Sequence, residues 1–297
     1  WSLELASGRA TQLTKGRTLQ IGTFSGDGTR VAVTMDTPTA PADVHVADAA
    51  FTTLRKVSDA NPQAREFALG ATEVVTWKSK DGLEVEGVLL KPVGFDPAKR
   101  YPLLVVAHGG PAGAYVNNYR VGGLEGGQVW ANQGYVIFLP NPRGSTGYGQ
   151  NFVDEISGDW GGKVTIDIMN GIADVIKRPY IDRDRIGAAG ASYGGYMVNW
   201  LLGHNNDPRF KFKAFLSHAG VYNLESMATA TEEIWFVNWE FKGMPWENPA
   251  MYARWSPHKF AKNFATPTLV TAGELDYRVP YDQSLQLYTT LQLRGVD

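Results

Sequence analysis

A serine flanked by glycines, Gly190-Ala191-Ser192-Tyr193-Gly194, stands between a short apolar run, Ile186 to Ala189, and a segment of helical character, Tyr193 to Leu202. Gly-X-Ser-X-Gly at a strand-to-helix junction is the sequence form of a nucleophile elbow. So sharp a turn needs small neighbours, and Gly190, Gly194 and Gly195 supply them. The bend lifts the hydroxyl above a sheet, where a carbonyl can approach, and the helix start directs N–H groups and a positive dipole end to the same place. The chemistry expected is attack by Ser192 on a carbonyl carbon. A phosphate-binding loop is the rival reading of these glycines, but no G-x-G-x-x-G stands at the strand exit and no Gly-Lys-Ser/Thr follows. A plain turn serine is the other rival, and the strand–turn–helix setting weighs against it.

A second cluster, His108-Gly109-Gly110-Pro111, follows the apolar run Leu103–Ala107. In an elbow-bearing sheet the loop after an early strand offers one oxyanion N–H, and the residue after the serine offers the other. The backbones of Gly110 and Tyr193 are the expected pair, and one such donor is worth about 10²–10³ in rate. His108 precedes the serine, whereas the expected order is serine, acid, histidine. It is read as shaping its loop. The run Thr268–Ala272 leads into Gly273-Glu274-Leu275-Asp276-Tyr277-Arg278-Val279-Pro280. A carboxylate just past a late strand is placed to hold a histidine in the right tautomer. Asp276 is the expected acid, with Glu274 as the fallback. The chain has five histidines, His45, His108, His204, His218 and His258, and none follows Asp276. His258 reads as a surface or packing residue. The base is therefore expected from residues outside this chain, and without it rates should fall about 10⁴-fold or more.

The elements that would position these groups are legible as short, continuous apolar runs: Leu103–Ala107, Tyr135–Leu139, Ile186–Ala189, Ala214–Ser217 and Thr268–Ala272. Such runs suit parallel strands buried on both faces. Between them lie helical stripes, Val164, Ile168, Ile172, Val175 and Ile176 in one, Tyr281, Leu285, Tyr288 and Leu291 in another. A hairpin around Asp81-Gly82 precedes them. Alternating strand and helix gives an α/β sheet, with its chemistry at strand-end loops. The first 60 residues differ. Leu3-Glu4-Leu5-Ala6 is echoed by Val44-His45-Val46-Ala47 at an offset of 41, which also pairs Thr11 with Thr52 and Leu13 with Leu54. A period of about 40–45 residues with short strands is the signature of a β-propeller blade. The expected organisation is a remnant of C-terminal propeller blades over residues 1–66 and a catalytic domain over 67–297. One blade cannot bury both faces, so more propeller is expected before Trp1.

Composition excludes several classes. Apolar residues make up 43 % of 297, enough for a large core. Lys plus Arg is 28 against 30 for Asp plus Glu, so bulk charge attracts neither nucleic acid nor anionic lipid. There is no cysteine, hence no disulfide and no thiol chemistry. No apolar run is long enough to span a membrane.

Three segments, Asn141-Pro142-Arg143-Gly144-Ser145-Thr146-Gly147-Tyr148-Gly149, Gly190 to Met197 and Asp276 to Pro280, together with His108-Gly109-Gly110-Pro111, resemble the prolyl-oligopeptidase family of serine peptidases, acylaminoacyl-peptidase-like branch. Trp246-Glu247-Asn248-Pro249 and Trp255-Ser256-Pro257-His258 are similar to the dipeptidyl-peptidase members of that branch. The resemblance covers nearly the whole chain. It implies an α/β-hydrolase fold, here incomplete at its C-terminus, preceded by a propeller, and a serine exopeptidase that releases N-terminal dipeptides from short peptides. Ser192 and Asp276 match the family's nucleophile and acid. Arg278 matches a position whose guanidinium binds a substrate carbonyl, and Tyr193, Tyr196 and Tyr222 match the lining of the first specificity pocket. No metal or organic cofactor is implied, and a periplasmic or secreted location is expected from the family alone. Two departures stand out: Ala219 where an acidic residue is expected, and Ala272 where histidine is common. An acylaminoacyl peptidase or an esterase keeps the same chemistry. A non-catalytic fragment or binding module is the reading of another class. An incomplete sheet would expose an edge, which invites self-association and makes a homo-oligomer one expected assembly.

Overall fold

The computed structural model describes residues 1–14 and 18–297. Strands β1 (Ser2–Glu4) and β2 (Arg9–Thr11) pair as an antiparallel hairpin. Strands β3 (Thr18–Phe24), β4 (Arg30–Thr37), β5 (Ala40–Asp48) and β6 (Leu54–Lys56) form an antiparallel four-stranded meander. Of the sequence echo, Val44–Ala47 lies within β5, whereas Leu3 and Glu4 lie in β1 and Leu5 and Ala6 in the turn after it. The meander buries one small cluster, Val31, Val33 and Ala47, and leaves Ile21, Phe24 and Val44 exposed. In β4 and β5 alternation sends one set of side chains inward and the other toward solvent.

The larger sheet has seven strands: β7 (Thr72–Lys78), β8 (Glu84–Leu90), β9 (Tyr101–Ala107), β10 (Val136–Asn141), β11 (Ile181–Ala191), β12 (Phe212–His218) and β13 (Thr268–Thr271). Their order is β13-β12-β11-β9-β10-β8-β7. The hairpin β7–β8 and the β8–β10 pair are antiparallel, and every other pair is parallel. Gly82, at φ +87°, makes the hairpin turn. The helix Lys163–Val175 carries the chain from β10 to β11, and Tyr193–Gly203 carries it from β11 to β12. Both pack on one face of the sheet, with Val164, Ile168, Ile172 and Val175 buried as the stripe requires. The short helix Gln128–Asn132 covers part of the other face, over Val106, Ile137 and Leu139. Strand β9 lies between β10 and β11, so chain order reverses beside it, and the carboxyl ends of β9 and β11 share a crevice.

Two expectations need correction. Thr268–Ala272 was expected to be buried on both faces, but β13 is an outer strand and Leu269 is largely exposed. At the helix Asp282–Arg294 the predicted stripe holds only at Leu291: Leu285, Tyr288 and the preceding Tyr281 are exposed, while Gln283, Ser284 and Leu287 face inward with Leu291. The cause is polar. Gln283 Oε1 accepts from the backbone N–H groups of Tyr222 (3.0 Å) and Asn223 (2.8 Å), which would otherwise be buried without partners.

A buried guanidinium fastens the loop behind the crevice. Arg143 bonds Asp167 through Nε and Nη2 (both 2.8 Å), Asp81 through Nη1 (2.7 Å) and Glu155 through Nη1 (3.0 Å). Its fork ties loop 141–149 to the β7–β8 turn and to the helix Lys163–Val175.

Candidate active site

Ser192 sits between the end of β11 and the helix Tyr193–Gly203, with φ 58° and ψ −121°. That region is costly for a residue with a Cβ and persists only when its surroundings over-determine it. Here they do. The Ser192 N–H donates to the His218 carbonyl at 3.0 Å, and the Ser192 carbonyl accepts from Tyr196 N–H at 2.9 Å. A Cβ on Gly194 would run into the Ala107 carbonyl oxygen, and one on Gly190 would run into Gly194. The glycines of the motif are therefore required by close backbone approach.

The His108–Pro111 loop leaves the end of β9 and abuts the elbow. A Cβ placed on Gly109 would lie 3.5 Å from that of Ser192. Gly110, at φ +129°, lines the same pocket as Ser192. Its neighbour His108 is buried, with Nδ1 2.8 Å from the Gly109 carbonyl and Nε2 2.9 Å from Ser145 Oγ. Burial pushes its imidazole below the usual histidine range. The side chain thus pins the loop to residues 142–145, where Ser145 Oγ donates to the Pro142 carbonyl at 2.6 Å.

On the other side, Asp276 lies in the loop after β13. Its Oδ1 accepts from the N–H groups of Arg278 and Val279, both at 3.0 Å, which orients the carboxylate. Arg278 is held by Glu232 (Nη2, 3.2 Å) and Glu233 (Nε, 3.2 Å). The segment carrying these two acids is laced to the acid loop: Thr231 Oγ1 donates to the Arg278 carbonyl at 2.7 Å, and Glu232 N–H donates to the Tyr277 carbonyl at 2.9 Å. Ser192, Gly110, Arg278 and Glu233 line one pocket of about 360 Å³, together with Val153, Ile156, Trp235, Phe236, Trp239 and Glu240. Glu274 is exposed in the same loop.

The sequence profile described as the prolyl oligopeptidase family matches residues 126–297, more than half of the chain. The chain belongs to the prolyl oligopeptidase family. It is 40 % identical over 74 % of its length to a dipeptidyl-peptidase 5 of Porphyromonas gingivalis, of which the match covers 32 %. It is 39 % identical over 75 % of its length to a dipeptidyl-peptidase 5 of Schizosaccharomyces pombe, again covering 32 % of that protein. Among solved structures it resembles the Pyrococcus horikoshii acylaminoacyl peptidase with a TM-score of 0.81 and 32 % identity, over 90 % of this chain and 42 % of that one. The chain spans about a third of the length of the curated relatives it matches most strongly.

The elbow, the Gly110 loop and Arg278 share one pocket, and the Asp276 loop that carries Arg278 leaves β13, two strands from β11. The tyrosine side chains lie outside that pocket. Tyr193 keeps its backbone N–H at the elbow, but its hydroxyl is buried and donates to the Trp160 carbonyl at 2.8 Å. Tyr196 donates to the Trp255 carbonyl at 2.9 Å from a fully buried position, and Tyr222 donates to Thr290 Oγ1 at 3.0 Å. All three rings belong to the core, and none of them lines the Ser192 pocket. This corrects their reading as pocket lining. Aromatic packing around Trp160 has taken Tyr193 and Tyr196 instead, with ring centroids 5.0 Å from it in both cases.

Among the described residues no histidine hydrogen-bonds Ser192 or Asp276. His204 Nδ1 donates to the Trp200 carbonyl (2.7 Å), His45 Nδ1 donates to the Asp43 carbonyl (3.1 Å), and His218 Nδ1 pairs with Thr271 Oγ1 (2.9 Å). His258 packs beside Tyr222. The pocket residues missed in the sequence are those of the helix Ile234–Glu240 and the preceding acids. Their signal was present as Trp235 and Trp239 one turn apart, both large and exposed.

Proposed function

We propose that this chain carries the nucleophile and acid of a serine exopeptidase that cleaves short peptides through an acyl-enzyme and releases N-terminal dipeptides. The observation that supports it most is the strained Ser192 at the elbow, sharing one pocket with Gly110 and Arg278. Ser192 Oγ attacks the scissile carbonyl. The N–H groups of Gly110 and Tyr193 receive the oxyanion, aided by the helix start. Asp276 orients a histidine supplied from outside residues 1–297, which takes the serine proton and returns it to the leaving amine. Water then releases the acyl group by the same steps. Arg278, steadied by Glu232 and Glu233, donates to a substrate carbonyl. No metal or organic cofactor enters this scheme.

Residues 1–66 are proposed as part of a β-propeller and 67–297 as the α/β-hydrolase domain. The antiparallel meander with one exposed face and the echo at offset 41 support that division. A propeller over the crevice would exclude folded proteins and admit short peptides. Export to the periplasm or outside the cell belongs to the same reading.

The relatives named dipeptidyl-peptidase 5 favour release of dipeptides, and the acylaminoacyl peptidase likeness favours removal of blocked residues. Profiling the full-length protein with matched peptides bearing a free or an acetylated amine separates the two. Faster cleavage of free-amine dipeptidyl substrates is expected. A clear preference for acetylated peptides would overturn the dipeptidyl reading and leave the serine chemistry standing.

A further inference from the structure

Glu240 is an acid in a place where acids are costly. It ends the helix Ile234–Glu240, is 7 % exposed and lines the pocket that contains Ser192. Its apolar walls are Val153, Ile156, Trp235, Phe236 and Trp239, and Asp154, Ser157, Glu233 and Arg278 line the same pocket. Its Oε2 accepts from Trp160 Nε1 at 2.8 Å. Its Oε1 accepts no hydrogen bond from the described residues, and it is not sealed from solvent space as a buried orphan would be. A carboxyl taken out of water with half its acceptor capacity unused is expensive unless a partner arrives.

We propose that Glu240 is a specificity-determining residue: the substrate side chain that fills this pocket beside the scissile carbonyl ends in a hydrogen-bond donor, which Glu240 Oε1 accepts. This deepens the peptidase reading and rests on it. The wall composition suits the rest of such a side chain. Aromatic and aliphatic faces pack an apolar ring or stem, and the donor at its tip reaches the acid, as with a phenol or an ammonium group. Burial pushes the Glu240 carboxyl above its usual range, so the empty site disfavours its charge and a seated donor restores it. Trp160 sets the position of the acid. It is buried at the centre of an aromatic cluster, and its carbonyl accepts the Tyr193 hydroxyl (2.8 Å), so one packed residue links Glu240 to the start of the elbow helix. A site built to accept a donor rejects an isostere that lacks it far more strongly than an apolar pocket discriminates by size. The other acids of this pocket do not compete for this role, because Glu233 is engaged with Arg278 and Asp154 is exposed and bonded by Gln150.

The test uses the full-length protein and peptidyl diphenyl phosphonates, which label an activated serine. Two isosteric pairs at the residue next to phosphorus are compared: tyrosine with phenylalanine, and lysine with norleucine. Labelling about ten- to a hundredfold faster for the donor member of at least one pair is expected, the range for one hydrogen bond to a charged acceptor. Glu240→Leu should bring that ratio, taken between the two members of each pair within the variant, to near one. Glu240→Gln, which keeps the shape and an acceptor, should retain part of it and guards against a Leu variant that does not fold. Ratios near one in the wild type, or ratios unchanged in both variants, would overturn the proposal with the peptidase reading intact. No labelling by any of the four probes would overturn the peptidase reading and this proposal with it.

Discussion

The two halves of the candidate site are built differently. Ser192 leaves β11, a strand with neighbours on both sides, and its turn is enclosed by Ala107, Gly109 and His218. Asp276 leaves β13, an outer strand, in a loop whose residues 271–275 are exposed. Ser192 is held by backbone contacts that tolerate no extra atom. Asp276 is held by two N–H groups of its own loop and by the polar lacing to residues 231–233. Strain can be stored only where the surroundings are rigid, so the proposed nucleophile sits on the rigid side and the proposed acid on the adjustable one.

This contrast can be broken by substitution. Asp276→Asn in the full-length protein should cost about 10⁴ in kcat with little change in Tm, because the wrong histidine tautomer is held in a loop that barely contributes to packing. A large loss of Tm would mean that the acid loop is as structural as the elbow. Arg143→Ala should cost about 3–5 kcal/mol of stability, since Asp167 is left buried without its cation. Urea unfolding followed by fluorescence would read it, and a change below 1 kcal/mol would show the network to be dispensable. The same network gives an acid limb. Arg143 holds Asp81 down at about 2, and Lys163 with Arg143 lowers Glu155. Depressed carboxylates stabilise above their unfolded pKa and lose that contribution as pH falls through the folded one. Stability should therefore drop from about pH 4 toward pH 2 in the wild type, and this limb should be shallower in Arg143→Ala.

The sharpest comparison uses two glycines, one beside each catalytic candidate. Gly194→Ala should destabilise by about 1–3 kcal/mol or more, as overpacking against a backbone carbonyl does. Gly273→Ala should stay within about 0.5 kcal/mol, because a Cβ there meets only the Asp276 Cβ at 3.9 Å. Equal effects would erase the distinction between the two sides.

The difference also explains what the sequence made legible. The elbow could be read from Gly190, Ser192 and Gly194 because a Cβ at either glycine would meet backbone, so that only glycine fits there. His108 could be set aside as loop-shaping from its position before the serine, and its bonds to Gly109 and Ser145 agree. The strands β9 and β10 were legible as apolar runs because both their faces are largely covered, whereas the run Ala214–Ser217, expected to be buried on both faces, lies in β12, where Lys213, Ala214 and His218 are exposed. Tyr196 and Tyr222 were misplaced because a tyrosine beside a site and a tyrosine beneath it have the same spacing; only the direction of the ring separates them. Glu240 gave no signal, since an acid in a helix ordinarily reads as a solvated one. Gln283 was missed for the same reason, and with it the inward face of the last helix.

The central claim is that Ser192 is an activated nucleophile completed by a histidine that these 297 residues do not place beside it. Fluorophosphonate labelling tests it most directly, comparing this chain with a version extended at its C-terminus to supply a histidine loop. The expected result is strong labelling of the extended form, little of the shorter one, and none in Ser192→Ala. Absence of labelling in a folded extended form, or labelling that survives Ser192→Ala, would contradict the account.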